Sequence, residues 1–67
     1  MKTINDVAAI LSNRRKELNL EQSDMYMRIG MKQQQYQRVE AGNDVRLSTF
    51  LRILEGLDLE MELHPIG

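Results

Sequence analysis

A glycine between two helical patterns, Gly30, constrains the fold of this chain more than any other residue. It lies within LEQSDMYMRIGMKQQQYQRVEAG, where apolar residues recur at helical spacing on both sides of the glycine. Met25 and Ile29 are four residues apart before Gly30, and Tyr36 and Val39 are three apart after it, so each segment has one inward stripe. Because glycine adopts a positive φ that other residues resist, Gly30 is expected to end one helix, predicted from about Glu21 to Arg28, and to turn the chain into the next.

The second of these helices, expected from about Lys32 to Glu40, has a face rich in side-chain amides. At roughly 100° per residue, the positions turned away from Tyr36 are occupied by Gln33, Gln34, Gln37 and Arg38. On composition alone, a solvated polar face is as good an interpretation as a binding surface. The hinge glycine and the flanking pattern favour DNA reading, because glutamine pairs with adenine and arginine with guanine in the major groove.

Two further helices are predicted around this pair. The first runs from Ile4 to Leu18, with apolar residues at three- and four-residue steps, and either Thr3 or Asn5 is placed to cap it. Asn19 is a suitable left-handed stop.

The glycine-containing pair therefore has a helix before it, and a fourth helix is expected after Gly42. Asp44, Ser48 and Thr49 are available to cap that helix. Its residues from Leu47 to Leu57 are apolar around most of the circumference, which predicts burial on two sides.

After Gly56 the apolar period changes to two, which predicts a strand. Leucine and methionine from Leu57 to Leu63 alternate with acidic residues, and Pro65 ends the pattern. The chain offers no second strand, so the same strand of another copy is the expected partner. The predicted dimer interface contains Phe50, Leu54, Leu57, Leu59, Met61 and Leu63.

Length and charge narrow the classes of function. A 67-residue chain without cysteine has neither a disulfide framework nor a thiolate metal site, so dimerisation is expected to supply stability. No segment reaches 18 consecutive apolar residues, which predicts a soluble, cytoplasmic protein with no membrane partner. Residues 1–54 contain nine Lys and Arg against six Asp and Glu, whereas residues 55–67 contain four acids and no Lys or Arg. The body is thus mildly basic, which is typical of a surface that binds nucleic acid.

The sequence contains none of the motifs on which an enzyme or metal site depends. It has no cysteine nucleophile and no glycine-rich phosphate loop. His64 stands alone beside Pro65, so no metal and no cofactor are expected. The chain is therefore not predicted to be an enzyme.

The pattern of the central stretch resembles the Xre, or Cro-like, family of phage repressors. The resemblance extends over Val7 to Leu57 and rests on Leu20, Gln22, Met25, Ile29, Gly30, Met31, Val39, Glu40 and Gly42. The tail, RLSTFLRILEGLDLEMEL, in addition resembles the end of HipB-type antitoxins, in which a strand is shared between protomers. The chain departs from the family at Glu21, Tyr26 and Tyr36, and Tyr26 occupies a site where two helices approach closely.

The resemblance implies roles for individual residues. Gln22 would contact a phosphate and brace the recognition helix, Gln33 and Gln34 would reach base edges, and Arg38 a base or phosphate. Arg15 and Glu40 would form a structural ion pair. With the amides that flank them and the neighbouring cations, the predicted DNA-binding set is Gln22, Arg28, Lys32, Gln33, Gln34, Gln35, Gln37, Arg38 and Arg46.

The sequence thus predicts an all-α repressor-like domain of four helices, with room for a fifth, plus a C-terminal strand that pairs across a homodimer. Residues 1–57 would form the helix-turn-helix domain and residues 58–67 the strand and tail that cover the dimer. The predicted function is a transcriptional regulator that binds an operator with paired half-sites. The resemblance further implies an autorepressing antitoxin with a HipA-like kinase toxin as partner. The alternative is a degenerate helix-turn-helix module that binds a partner protein through its acidic tail, without binding DNA.

Overall fold

The computed structural model describes residues 3–67, which form four helices. These are α1 (Ile4–Glu17), α2 (Asp24–Ile29), α3 (Gln33–Glu40) and α4 (Leu47–Gly56). The prediction of an all-α, four-helix fold is confirmed, and residues 3–67 contain no fifth helix. Met1 and Lys2, with which the predicted domain 1–57 begins, lie outside the described residues. None of the described helices is long and apolar enough to cross a membrane.

The first helix begins and ends as its sequence predicts. Thr3 is the N-cap: its Oγ1 accepts a hydrogen bond from Asp6 N at 3.1 Å, and Asp6 Oδ2 accepts one from Thr3 N at 3.1 Å. This capping box satisfies donors that the helix would otherwise leave unpaired. At the other end Asn19 has a φ of 58°, and Leu20 N donates to Arg15 O at 3.0 Å. The chain therefore turns sharply from α1 towards α2.

The second helix is shorter than predicted. It begins at Asp24 rather than at Glu21, because the preceding residues form hydrogen bonds of the tighter 3₁₀ type. Asp24 N donates to Glu21 O at 3.0 Å, and Asp24 Oδ2 accepts a hydrogen bond from Glu21 N at 2.7 Å. Gly30 ends α2 with a φ of 71°, as the sequence predicts.

The predicted caps of the fourth helix are wrong. The N-cap is Arg46, which makes no side-chain capping hydrogen bond. Asp44 Oδ1 instead accepts a hydrogen bond from its neighbour Val45 N at 2.9 Å, whereas Ser48 and Thr49 lie within the helix. Leu47 at the start of α4 is 63% exposed within the protomer, so burial of α4 on a second side, against something other than its own domain, stays a prediction.

The predicted strand is wrong at its first two residues. Leu57 is the C-cap of α4 and is fully buried in the protomer, and Asp58 has a left-handed φ of 53°. Residues 59–67 form neither helix nor strand within the described protomer. Since the predicted ladder of hydrogen bonds joins two copies, the pairing of residues 59–63 stays a prediction.

The core lies where α3 packs on α1 and α2, and α2 packs on α4. Its largest fully buried side chains are those of Leu11, Met25, Met31, Tyr36, Ile53 and Leu57. Met25 and Met31 thus belong to the core, whereas Met27 is 85% exposed. The inward stripe of α3 is thus buried in the core, and its other side is left at the surface.

We expect Gly56→Ala to destabilise the fold by about 1 to 3 kcal/mol through overpacking. A Cβ at this position would lie 2.7 Å from Ile29 Cγ2 and 3.3 Å from Met25 Cε, and the β-branched isoleucine cannot easily move away. The helix propensity of alanine offsets only about 0.5 to 1 kcal/mol. Urea denaturation measures the difference, with Ser48→Ala on the exposed side of α4 as the control. An unchanged or raised midpoint for Gly56→Ala would contradict this packing.

Candidate nucleic-acid interface

The outward face of α3 consists entirely of polar side chains. Tyr36 and Val39 are buried, and the remaining side chains from Lys32 to Arg38 are exposed. The exposed set contains Lys32, Gln33, Gln34, Gln35, Gln37 and Arg38. The face thus combines four amides, which donate and accept hydrogen bonds, with two cations, which only donate.

An open cleft of about 700 Å³ separates α3 from the start of α4. Gln34, Gln37 and Arg38 line it from α3, and Arg46 lines it from the opposite side. The structure therefore brings Arg46, which is eight or more residues away in sequence, to the same surface as these three side chains of α3. Gln33 is exposed at the first turn of α3, outside the lining of this cleft.

A buried ion pair holds α3 against the rest of the fold. Arg15 Nε donates to Glu40 Oε2 at 2.7 Å, and Arg15 Nη2 donates to Glu40 Oε1 at 3.0 Å. The Arg15 and Glu40 side chains are only 10% and 6% exposed. Arg15 Nη1 also donates to Leu20 O at 2.8 Å, so one guanidinium connects α1, the approach to α2 and the end of α3. The ion pair predicted from the resemblance is present in the structure.

Glu40 has a further partner in Gln22, whose Nε2 donates to Glu40 Oε1 at 3.1 Å. Burial by itself raises the pKa of Glu40, but the hydrogen bonds from Arg15 and Gln22 outweigh burial and leave the pKa below its ordinary value. The carboxylate is therefore charged at neutral pH. Gln22 braces the end of α3 through this contact, as the resemblance implied.

Tyr36 is buried next to the same pair. Its ring is fully enclosed, and its hydroxyl has no hydrogen-bond partner of good geometry among residues 3–67. Burial raises the pKa of the Tyr36 hydroxyl, and the neighbouring Glu40 carboxylate raises it further. The side chain therefore remains neutral and anchors the inward face of α3.

The basic side chains of residues 3–67 form two groups. Those of the first group bond to oxygen atoms of the protein itself, and those of the second form no ion pair with any described residue and are free to bind a ligand. Arg14, Arg15, Arg28 and Arg52 all bond to carbonyl or carboxylate oxygens of the protein. Within the described part of the chain, no ion pair is formed by Lys16, Lys32, Arg38 or Arg46. Three of these four line the cleft beside α3. The positive charge that is available to a ligand is thus concentrated at this surface.

One residue of the predicted DNA-binding set lies elsewhere. Arg28 Nε donates to Gly56 O at 2.5 Å, and its guanidinium lies 3.7 Å from Asp58 Oδ2. This position is at the end of α4, and Arg28 does not line the cleft beside α3. The structure therefore does not bring Arg28 together with the amides of α3.

Tyr26 lies at the surface. It departs from the family pattern at a site where α2 and α3 approach closely, and a ring between the two helices would have prevented their packing. The side chain is 58% exposed, so the ring points towards solvent rather than between the helices. Glu21 is also exposed, at the tight turn before α2. Neither residue disturbs the inward stripes of the two helices.

The predicted dimer residues divide between core and surface. Leu54 and Leu57 are buried in the core of their own protomer, at 7% and 0% exposure. Phe50, Leu59 and Met61 are partly buried against that core. Leu63 is 82% exposed and is the member of the set that offers the most surface to another molecule.

Sequence reasoning missed two polar residues of the cleft. Asp44 and Thr49 line it together with Val45, opposite the outward face of α3. Both were considered as helix caps only. For Asp44, its position in the short connection after α3 was the available signal, because such a connection returns the chain alongside the helix that it leaves. Thr49 lies in α4, and no local signal indicated it.

This geometry, a short helix and a glycine turn followed by a braced helix with a polar outward face, defines a helix-turn-helix unit. A family model described as Helix-turn-helix, HTH_3, matches residues 11–63. The chain belongs to this helix-turn-helix family.

A solved structure supports the same conclusion. A chain of the "Structure of HipA-HipB-O2-O3 complex" matches over 100% of this chain and 96% of its own length, with 26% sequence identity and a TM-score of 0.89. No curated protein gives a significant match. Fold and family together define a DNA-binding regulator of the helix-turn-helix type.

Proposed function

We propose that the protein is a homodimeric regulator that inserts α3 of each protomer into the major groove of an operator with paired half-sites. The observation that carries the proposal is the concentration of uncommitted cations and amides on one exposed face of α3 and the adjoining cleft. Two such helices in a symmetric dimer would contact half-sites about 34 Å apart.

Within this proposal, base reading and phosphate binding fall to different residues. Gln33 and Gln34 at the first turn of α3 would bind adenine edges, and Arg38, one turn beyond Gln34, would bind guanine or a phosphate. Gln35 and Gln37 complete the amide face, and Lys32 and Arg46 flank it as phosphate contacts. Gln22 acts through Glu40 to brace α3. Arg28 is not part of this set, because it is bonded to the end of α4.

The dimer is proposed to form through the tail and the face of α1 and α4 on which it lies. A mostly apolar groove of about 320 Å³ runs between Val7, Ile10, Phe50 and the tail residues Leu59 and Met61. Alternate tail residues face solvent as acids, so pairing of two tails in the region 59–63 would keep Glu60 and Glu62 wet. Residues 58–67 would then cover the dimer axis.

The biological role we propose is that of an autorepressing antitoxin in the cytoplasm. The HipB-like tail and the match over the whole chain to a HipA-HipB-O2-O3 complex support it. That complex contains HipA together with HipB, so a HipA-like kinase toxin is the proposed protein partner and the promoter of the chain's own gene the proposed operator.

Gln34→Ala and Lys32→Ala test the division between base reading and phosphate binding. We expect Gln34→Ala to cost about 1 to 3 kcal/mol and to relax preference at one base pair, since only base contacts carry sequence information. Lys32→Ala should weaken all sequences alike and reduce the salt dependence by about one counterion. Electrophoretic mobility shifts on DNA upstream of the gene, repeated at several salt concentrations, measure both effects.

Lys16→Ala is the matched control, because Lys16 is an exposed lysine of α1 outside the cleft. Its affinity should stay close to that of the unmodified protein. If micromolar protein gives no salt-dependent shift on any DNA, the regulator proposal fails and a protein-binding module replaces it.

A further inference from the structure

The end of α4 is held by arginines from two other helices. A helix leaves its last carbonyls without partners inside the helix, and buried carbonyls need them. Backbone donors satisfy the earlier ones: Leu57 N bonds to Ile53 O, Asp58 N to Glu55 O and Leu59 N to Leu54 O. The last two are satisfied by side chains, since Arg28 donates to Gly56 O and Arg14 Nε donates to Leu57 O at 2.9 Å.

The turn at Asp58, directly after α4, also has a defined conformation. Asp58 adopts a left-handed φ of 53°, a conformation that only glycine, asparagine and aspartate visit readily. Its carboxylate lies 3.7 Å from Arg28 Nη2. The bonds to Leu59 N and Asp58 N form a Schellman motif, so the chain leaves α4 in a defined direction.

The two arginines connect the end of α4 to two different helices of the fold. Arg14 is on α1, which also holds α3 through the neighbouring Arg15. Arg28 is on α2, the helix that supports α3 in the helix-turn-helix unit. The end of α4, from which the tail departs, is therefore connected to α3 through two short routes. One passes through α1 and the ion pair of Arg15 with Glu40, and the other through the packing of α2 on α3.

We infer that Arg14 and Arg28 are positioning residues that fix the angle between tail and recognition helix, and thereby the spacing between half-sites that the dimer accepts. The inference rests on the proposed function, in which two tails meet at the dimer axis. Changing the spacing by one base pair shifts a half-site by about 3.4 Å and rotates it by about 35° around the duplex. A stiff connection between tail and recognition helix makes binding to the altered spacing weaker, whereas a flexible connection allows the helices to follow the half-sites.

The first test compares operators whose half-sites are separated by different numbers of base pairs. For the unmodified protein, we expect one base pair more or less than the best spacing to weaken binding about tenfold, similar to one mismatched base pair. For Arg28→Ala this preference should fall to about twofold, while the affinity for a single half-site stays unchanged. Arg28→Ala with undiminished spacing preference, or with weakened single half-site binding, would overturn the inference.

Arg52→Ala is the matched control for that experiment. Arg52 also donates from its guanidinium to a carbonyl at the end of a helix, Ile29 O, and its side chain makes none of the hydrogen bonds by which Arg14 and Arg28 hold the end of α4. Its spacing preference should match that of the unmodified protein. Arg14→Ala provides a second variant of the same clamp, should Arg28→Ala fold poorly.

A second test measures the dimer without DNA. Because the chain has no cysteine, one nitroxide at Asn13→Cys, an exposed position of α1, labels each protomer once. Pulsed electron paramagnetic resonance should give a narrow distribution of distances between the two nitroxides in the unmodified background and a broad distribution with Arg28→Ala. Equally narrow distributions would overturn the clamp while leaving the dimer intact. Absence of any distance between protomers would instead show that the proposed dimer itself is wrong.

Discussion

Glu40→Ala is expected to destabilise the protein by about 3 to 5 kcal/mol, because it leaves the buried guanidinium of Arg15 without its carboxylate. The Arg15 side chain is only 10% exposed, so water cannot replace the lost partner. A domain of this length has a total stability of roughly 3 to 10 kcal/mol. Loss of the pair therefore removes a large fraction of it, and urea denaturation should show a folded population that is much reduced or absent.

Glu17→Ala is the matched control for this prediction. Glu17 forms a long 4.0 Å pair with Arg14 at the surface, where its side chain is 67% exposed. Exposed pairs of this kind contribute about 0 to 1 kcal/mol. Equal losses in Glu40→Ala and Glu17→Ala would contradict the role given to the buried pair.

The same pair predicts how stability depends on pH. The pKa of Glu40 is lowered on folding, so its contribution is fully present above the ordinary pKa of 4.5 and is lost as the pH falls through the lower pKa of the folded state. Glu40→Gln should flatten this acid part of the stability curve.

Leu63→Lys is expected to convert the proposed dimer to monomers at micromolar concentration. Burial of one leucine contributes about 1.5 to 3 kcal/mol, and a symmetric interface contains the residue twice. The dimer dissociation constant should therefore rise about a hundredfold or more, and affinity for an operator with two half-sites should fall with it. Sedimentation equilibrium measures the first effect, and mobility shifts measure the second.

This substitution separates association from folding. A truncation after Gly56 would remove Leu57, which is fully buried in its own protomer, and would disrupt the core directly. Leu63 is 82% exposed, so its replacement leaves that core intact. Met27→Lys, at an 85% exposed position of α2, is the control that should stay dimeric. A Leu63→Lys protein that remains a dimer of normal affinity would refute the proposed interface.

Local sequence signals were sufficient for the parts of the fold that are fixed locally. Thr3 and Asp6 are three residues apart and define the start of α1, and Gly30 alone dictates the turn between α2 and α3. The inward stripe of α3 could be predicted because Tyr36 and Val39 repeat at helical spacing. The outward amides followed from the same periodicity.

Features fixed by contacts distant in sequence could not be predicted in this way. Arg28 was assigned to DNA because it is an exposed cation near the hinge, but its partner is a backbone carbonyl 28 residues further along. The alternation after Gly56 predicted a strand from Leu57 onwards, whereas packing in the core makes Leu57 part of the helix end. Periodicity is the same for a residue that packs in its own core and for one that is left exposed on the protomer, so it could not separate Leu57 from Leu63.

The two faces of α3 differ in how well they tolerate substitution. Tyr36 and Val39 are enclosed by the core and Glu40 is held by Arg15, so a change at any of them is felt by the whole domain. None of the outward side chains of α3 belongs to that core. Lineages of this protein can therefore exchange the outward amides while inheriting an unchanged scaffold, and under the proposed function each exchange would change the preferred operator.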